Sequence, residues 1–84
     1  MRVERSFRGI SERLAIRYLG GLGGEQVEAD VVEGDGWSAT LSAESVEIGP
    51  SLTLTEVTVV FEGDAESLKP LIEDFARKAM RAGG

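Results

Sequence analysis

A chain of 84 residues with no cysteine and no histidine has room for one domain, spanning residues 1–84, and lacks the side chains that most often serve as nucleophile, general base or metal ligand near neutral pH. Disulfides and thiolate metal sites are excluded, and a core burying only about 60% of the extended-chain surface has no covalent staple behind it. The formal net charge of −6 is unevenly laid out: residues 1–24 hold five Arg against two acids, residues 25–66 hold eleven acids and no base, and residues 67–84 hold four bases against two acids.

Seven of the nine bases are Arg, and a lysine-poor, acid-rich surface suggests a salt-adapted source. No apolar run approaches the ~20 residues of a membrane-spanning helix, and Met1 to Arg5 lack the apolar core of a signal peptide. With cysteine also absent, a cytoplasmic protein without membrane contact is expected.

Residues Arg2 to Gly9 alternate, with Val3 and Phe7 on one face and Glu4, Ser6 and Arg8 on the other, which predicts a strand. A helix follows, with Ser11 as N-cap and Glu12 in its first turn. Ile10, Leu14, Tyr18 and Leu22 repeat beside Ala15 and Leu19, and Gly20-Gly21 is the expected stop. From Gln26 the period changes to two, with Val27, Ala29 and Val31 opposite Glu28 and Asp30, up to a hairpin turn at Glu33-Gly34-Asp35-Gly36.

The returning strand places Trp37, Ala39 and Leu41 on the core face. Val46 and Ile48 fall on the other parity, which predicts a turn within Ser42 to Ser45. Beyond Gly49-Pro50, Leu52 and Leu54 precede Val57, Val59 and Phe61, and a second parity change predicts a β-bulge at Thr55-Glu56. Leu68, Leu71, Ile72, Phe75, Ala76, Ala79 and Met80 form one stripe of an amphipathic helix capped by Asp64 or Ser67; a start at Ser67 puts Pro70 at the third helical position. The expected fold is α+β: a single antiparallel sheet of about five strands with two helices on one face, in the order β-α-β-β-β-β-α.

Catalysis is not expected. The acid pairs Glu28/Asp30, Glu33/Asp35, Glu44/Glu47 and Glu73/Asp74 fall where a strand or helix turns its polar side to water, and spacing alone supplies no apolar wall to perturb them. The run Gly20-Gly21-Leu22-Gly23-Gly24 follows a helix instead of opening one, so it reads as a helix stop and not as a phosphate loop. Neither a cofactor nor a metal is implied.

Arg13 and Arg17 share one helix face, and Arg77, Lys78 and Arg81 gather at the end of the other helix, so a basic contact patch on the helix layer is a candidate site. The acid-only stretch that forms the sheet would repel phosphate, so nucleic acid is not expected as a partner and a protein is. The last two residues, Gly83 and Gly84, lack Cβ atoms and suit a narrow active-site channel in which a carboxylate is adenylated.

Two resemblances follow. The element order, with Gly9-Ile10-Ser11-Glu12-Arg13-Leu14 and Ser51-Leu52-Thr53-Leu54-Thr55-Glu56-Val57, resembles the C-terminal domain of proteins related to the molybdopterin synthase small subunit, which implies a TATA-binding-protein-like fold and no assigned activity. The tail is similar to that of ubiquitin-like sulfur carriers and small archaeal modifiers, which implies an activated carboxylate at Gly84. Those carriers have a β-grasp fold whose tail leaves a strand, whereas Gly83 here follows a helical stripe. The expected function is therefore a non-catalytic accessory or protein-interaction domain, with a carrier or modifier activated at Gly83-Gly84 as the alternative.

Overall fold

The structure, a computed structural model, describes residues 1–83, with side chains described through Arg81. Its elements are β1 (Arg2–Arg8), α1 (Glu12–Gly21), β2 (Glu25–Glu28), β3 (Val31–Gly34), β4 (Trp37–Gly49), β5 (Leu52–Gly63) and α2 (Ala65–Gly83). The α+β class and the element order agree with the reading of the sequence. The five strands form one sheet in the order β1-β5-β4-β3-β2, and each pairing is antiparallel. From β1 the chain crosses the sheet through α1 to the far edge, then returns strand by strand until β5 lies beside β1.

One face of the sheet is covered. Val32, Trp37, Ala39, Leu41, Val57, Val59 and Phe61 are buried on that face, and Val3 and Phe7 of β1 pack at its margin. The helices answer with Ala15 and Leu19 from α1 and with Leu68, Leu71, Ile72, Phe75 and Ala79 from α2. Phe75 sits where these surfaces meet, edge-to-face against Phe7 (5.0 Å between centroids), Phe61 (5.8 Å) and Tyr18 (6.2 Å). Met80, placed on the same stripe by its spacing, is instead 75% exposed, at the rim of a recess shared with Arg5 of β1.

Ser11 caps α1 as expected: it holds extended backbone angles, and its Oγ accepts from the Leu14 N–H at 3.1 Å. The helix runs through Gly20-Gly21 and stops two residues later than predicted. Gly23 takes a positive φ of 99° and donates to the Gly20 carbonyl (3.3 Å), while the Gly24 N–H donates to the Leu19 carbonyl (2.9 Å). This pair of bonds is the Schellman closure, and Gly23 is the residue that needs the left-handed conformation.

The strand count agrees while two strand boundaries do not. The alternation from Gln26 to Glu33 is two strands, turned at Ala29-Asp30 where Gln26 Nε2 donates to the Ala29 carbonyl at 3.2 Å. Neither turn residue has a positive φ, so the turn does not match the strand twist; the pairing jumps from Gln26↔Val32 to Glu28↔Val31 and turns Val27 out to solvent. Conversely, the turn predicted within Ser42 to Ser45 is absent, because β4 runs unbroken from Trp37 to Gly49.

The bulge predicted at Thr55-Glu56 is absent as well. The β4–β5 register is continuous there and shifts instead between Glu47 and Gly49, where Ile48 is the extra residue before the Pro50-Ser51 turn. α2 begins one turn before the Ser67 alternative: the Asp64 carbonyl accepts from the Ser67 and Leu68 N–H groups, so Asp64 is the entry residue and Pro70 lies inside the helix.

Candidate interaction surface

The predicted basic patch is brought together in part. Arg77, Lys78 and Arg81 line one recess of about 200 Å³ with Leu22 and Asp74. Within it Arg77 pairs with Asp74 (3.4 Å), and the Lys78 ammonium lies 5.9 Å from the centre of the Tyr18 ring. Arg13 belongs elsewhere, lining a separate hollow with Glu12, Ile16 and Gln26. Arg17 is exposed on α1, and no described recess or contact joins it to the α2 cations. The candidate patch is a cationic α2 end already engaged by Asp74 and Tyr18, plus Arg13 and Arg17 on α1, which line no recess with it.

Gly83 is the last residue of α2, and Gly84 lies outside the described residues. The helix therefore occupies the chain almost to its end. Among the acid pairs, Glu28, Asp30, Glu33, Asp35, Glu44, Glu47 and Glu73 are exposed and Asp74 is half-buried. Trp37 is buried in the core as expected, and its ring also lines a recess of about 310 Å³ together with Asp35, Ser67 and Asp74.

The feature that periodicity missed is the length of β4 and β5. β1 pairs with β5 only from Glu56 to Glu62, and β3 pairs with β4 only from Trp37 to Thr40, so residues beyond these stretches project as a two-stranded arm. Five residues of β4, Ser45 to Gly49, lie beyond both neighbouring strands and give the arm a reach of about 16 Å at ~3.3 Å per residue.

No helix lies over it. The face that carries the core elsewhere continues here as Ser45 and Glu47 opposite Thr55 and Thr53. Apolar side chains have moved to the other face, where Val46 opposes Leu54, and the tip leaves Ile48 45% and Leu52 57% exposed. This change of face is the physical source of the parity breaks at Ser42 to Ser45 and at Thr55-Glu56, where the sequence predicts a turn and a bulge.

Charge on the open face follows the register. Arg8, Glu56 and Glu44 stand in one cross-strand row; Arg8 Nε bonds Glu56 Oε2 at 2.9 Å. Glu44, directly opposite Glu56, has no cationic partner among the described residues. Like charges directly opposed across strands are destabilising unless a base lies within reach.

A two-layer α+β domain with an uncovered sheet face, a projecting hairpin and a helical C-terminus is the class that these elements define. The chain belongs to the family of archaeal MoaD-like proteins, whose family model matches residues 3–84. No curated protein matches it. Among the described residues, no helix is long and apolar enough to cross a membrane.

Proposed function

We propose that this member of the archaeal MoaD-like family is a non-catalytic protein-interaction domain, of TATA-binding-protein type, that works beside a sulfur-carrier protein in the cytoplasm. The observation that supports it most is the continuation of α2 to Gly83. An adenylating active site requires several extended residues behind the terminal carboxylate, and here a helix stands in their place. The uncovered sheet face and the arm supply the contact surface; β2 to β5 contribute acids and no base there, and the open-face bases of β1, Arg2 and Arg8, are already paired to Glu62 and Glu56, which favours a protein partner over nucleic acid. The β-α-β4-α order and wholly antiparallel sheet support the TATA-binding-protein-like assignment, because a β-grasp carrier opens on a hairpin and ends on a strand.

The second reading, a carrier or modifier activated at Gly84, is favoured by the family match, which extends through that residue. The last buried side chain described in α2 is Ala79; if the helix unwound beyond it, the five following residues would span about 17 Å. Removing Gly83 and Gly84 separates the two readings. In a strain lacking the protein, the truncated chain is expected to restore growth as fully as the intact one. Failure to restore, at normal abundance of the truncated chain, would eliminate the interaction-domain reading and establish the carrier.

A further inference from the structure

The arm leaves a strand edge without a partner. The Leu41 N–H points away from β5, to the Asp30 carbonyl at 2.8 Å, which fixes the direction of the backbone groups along β4. Because successive residues alternate, the N–H and C=O groups of Ala43, Ser45 and Glu47 point to that same outer side. β3 ends its pairing at Thr40, so none of the three has a strand partner there among the described residues. Natural edges are blunted by charged side chains, proline or a bulge. Over Ala43 to Glu47 there is no lysine, proline or bulge, and the charges are the acids Glu44 and Glu47, which deter an acidic or like-charged strand but not a basic one; the first irregularity is the bulge at Ile48.

Charge decides what fits this edge. Across the open face the row reads Arg8, Glu56, Glu44 and then the free edge, so a base is missing at the next position of an otherwise compensated row. A second copy of the chain cannot supply it well. Antiparallel self-pairing along this edge would gather the Glu44 and Glu47 side chains of both copies, and the segment 25–66 has no base to offset them. An extended segment carrying Lys or Arg would meet Glu44 on one face and Glu47 on the other, while an apolar side chain beside its base would cover Val46.

We infer that the outer edge of β4, from Ala43 to Glu47, takes up an extended basic segment of a partner protein as a sixth strand, with a Lys or Arg of that segment opposite Glu44. Main-chain bonds to three residues give the affinity, and the Arg8-Glu56-Glu44 row gives the preference for a base. The inference rests on the interaction-domain reading, and the two fail separately: deletion of Gly83 and Gly84 tests that reading without touching β4.

The probes are a short blocked peptide of alternating lysine and threonine and its glutamate-threonine counterpart, titrated into the ¹⁵N-labelled chain. The lysine peptide is expected to slow hydrogen exchange at the Ala43, Ser45 and Glu47 amides by about tenfold or more, less so at high salt, with no effect of the glutamate peptide. Ser45→Pro removes one outward N–H at an edge position that tolerates proline. It should weaken binding by about tenfold while the Val57 and Val59 amides stay protected, which shows that the sheet remains folded. Glu44→Lys should transfer the preference to the glutamate peptide.

Three results would overturn the inference: absence of any shift in the three amides, shifts confined to Arg77, Lys78 and Arg81, or amides already protected in a free chain that sediments as a dimer. The last would assign the edge to a second copy.

Discussion

Replacing Phe75 by alanine is expected to cost about 3–5 kcal/mol, the largest loss available from a single core truncation in this chain. Phe75 is fully buried and touches an aromatic ring from each of three elements, Phe7 of β1, Tyr18 of α1 and Phe61 of β5. Each edge-to-face pair adds about 0.5–1.5 kcal/mol beyond the area it buries, and the cavity left by the ring lies between β1 and α2, where no further layer can close on it. A domain of this size holds about 5–10 kcal/mol in total, so Phe75→Ala should remove about half of it or unfold the chain. Urea denaturation followed at Trp37 would report this as a fall in the midpoint. Met80→Ala, on the same helix but largely exposed, should shift it by less than about 0.5 kcal/mol. Equal effects of the two substitutions would contradict the packing described.

Substitution at Gly63 is expected to be nearly as costly, for a reason that lies in the backbone. Gly63 ends β5 with φ at +149°, a region closed to side chains with a Cβ, and its N–H donates to the Met1 carbonyl at 3.1 Å. A Cβ added there would collide with the Gly36 carbonyl oxygen and lie 2.7 Å from the Trp37 Cα, main-chain atoms where the β3–β4 turn enters β4. Strain and collision together should cost about 3 kcal/mol or more in Gly63→Ala. At Gly20, where an added Cβ meets nothing within 4 Å and α1 is already helical, alanine should instead be neutral or stabilising by about 0.5–1 kcal/mol. Thermal melts check both statements: the midpoint should fall in Gly63→Ala and stay or rise in Gly20→Ala.

Much of this architecture was legible in the residues. The stripe from Leu68 to Ala79, the cap at Ser11 and the parity of Trp37, Ala39 and Leu41 each follow from local spacing against one covered face, and the structure shows each. Where covering stops, spacing misleads. Val46 and Ile48 imply a break in the chain only where apolar parity equals core parity, and on an uncovered arm nothing forces the two to agree. Val27, Ala29 and Val31 alternate across a tight turn as smoothly as they would along one strand, so the hairpin between β2 and β3 left no mark. The two boundary differences offset each other, and the count of five strands survived.

The surface was less legible than the fold. Arg13 and Arg77 belong to different hollows because the crossing of α1 over the sheet, which separates them, is a tertiary property. The row of Arg8, Glu56 and Glu44 required the register of three strands, and two of those residues lie far apart in sequence. An arm built on β4 and β5 is also marginal on its own, since two strands without a covered face bury little apolar area. Its two-sided exposure supports a role in which a partner completes the sheet.

The C-terminal chemistry provides the sharpest test. Intact-mass and fragment analysis of the protein recovered from cells that produce it would read the state of the terminal carboxylate directly. Gly84 is expected to be unmodified in every molecule, whether sulfur transfer is active or not. A thiocarboxylate on Gly84, or a peptide joined through it to a lysine of another protein, would overturn the interaction-domain reading and make the chain a carrier.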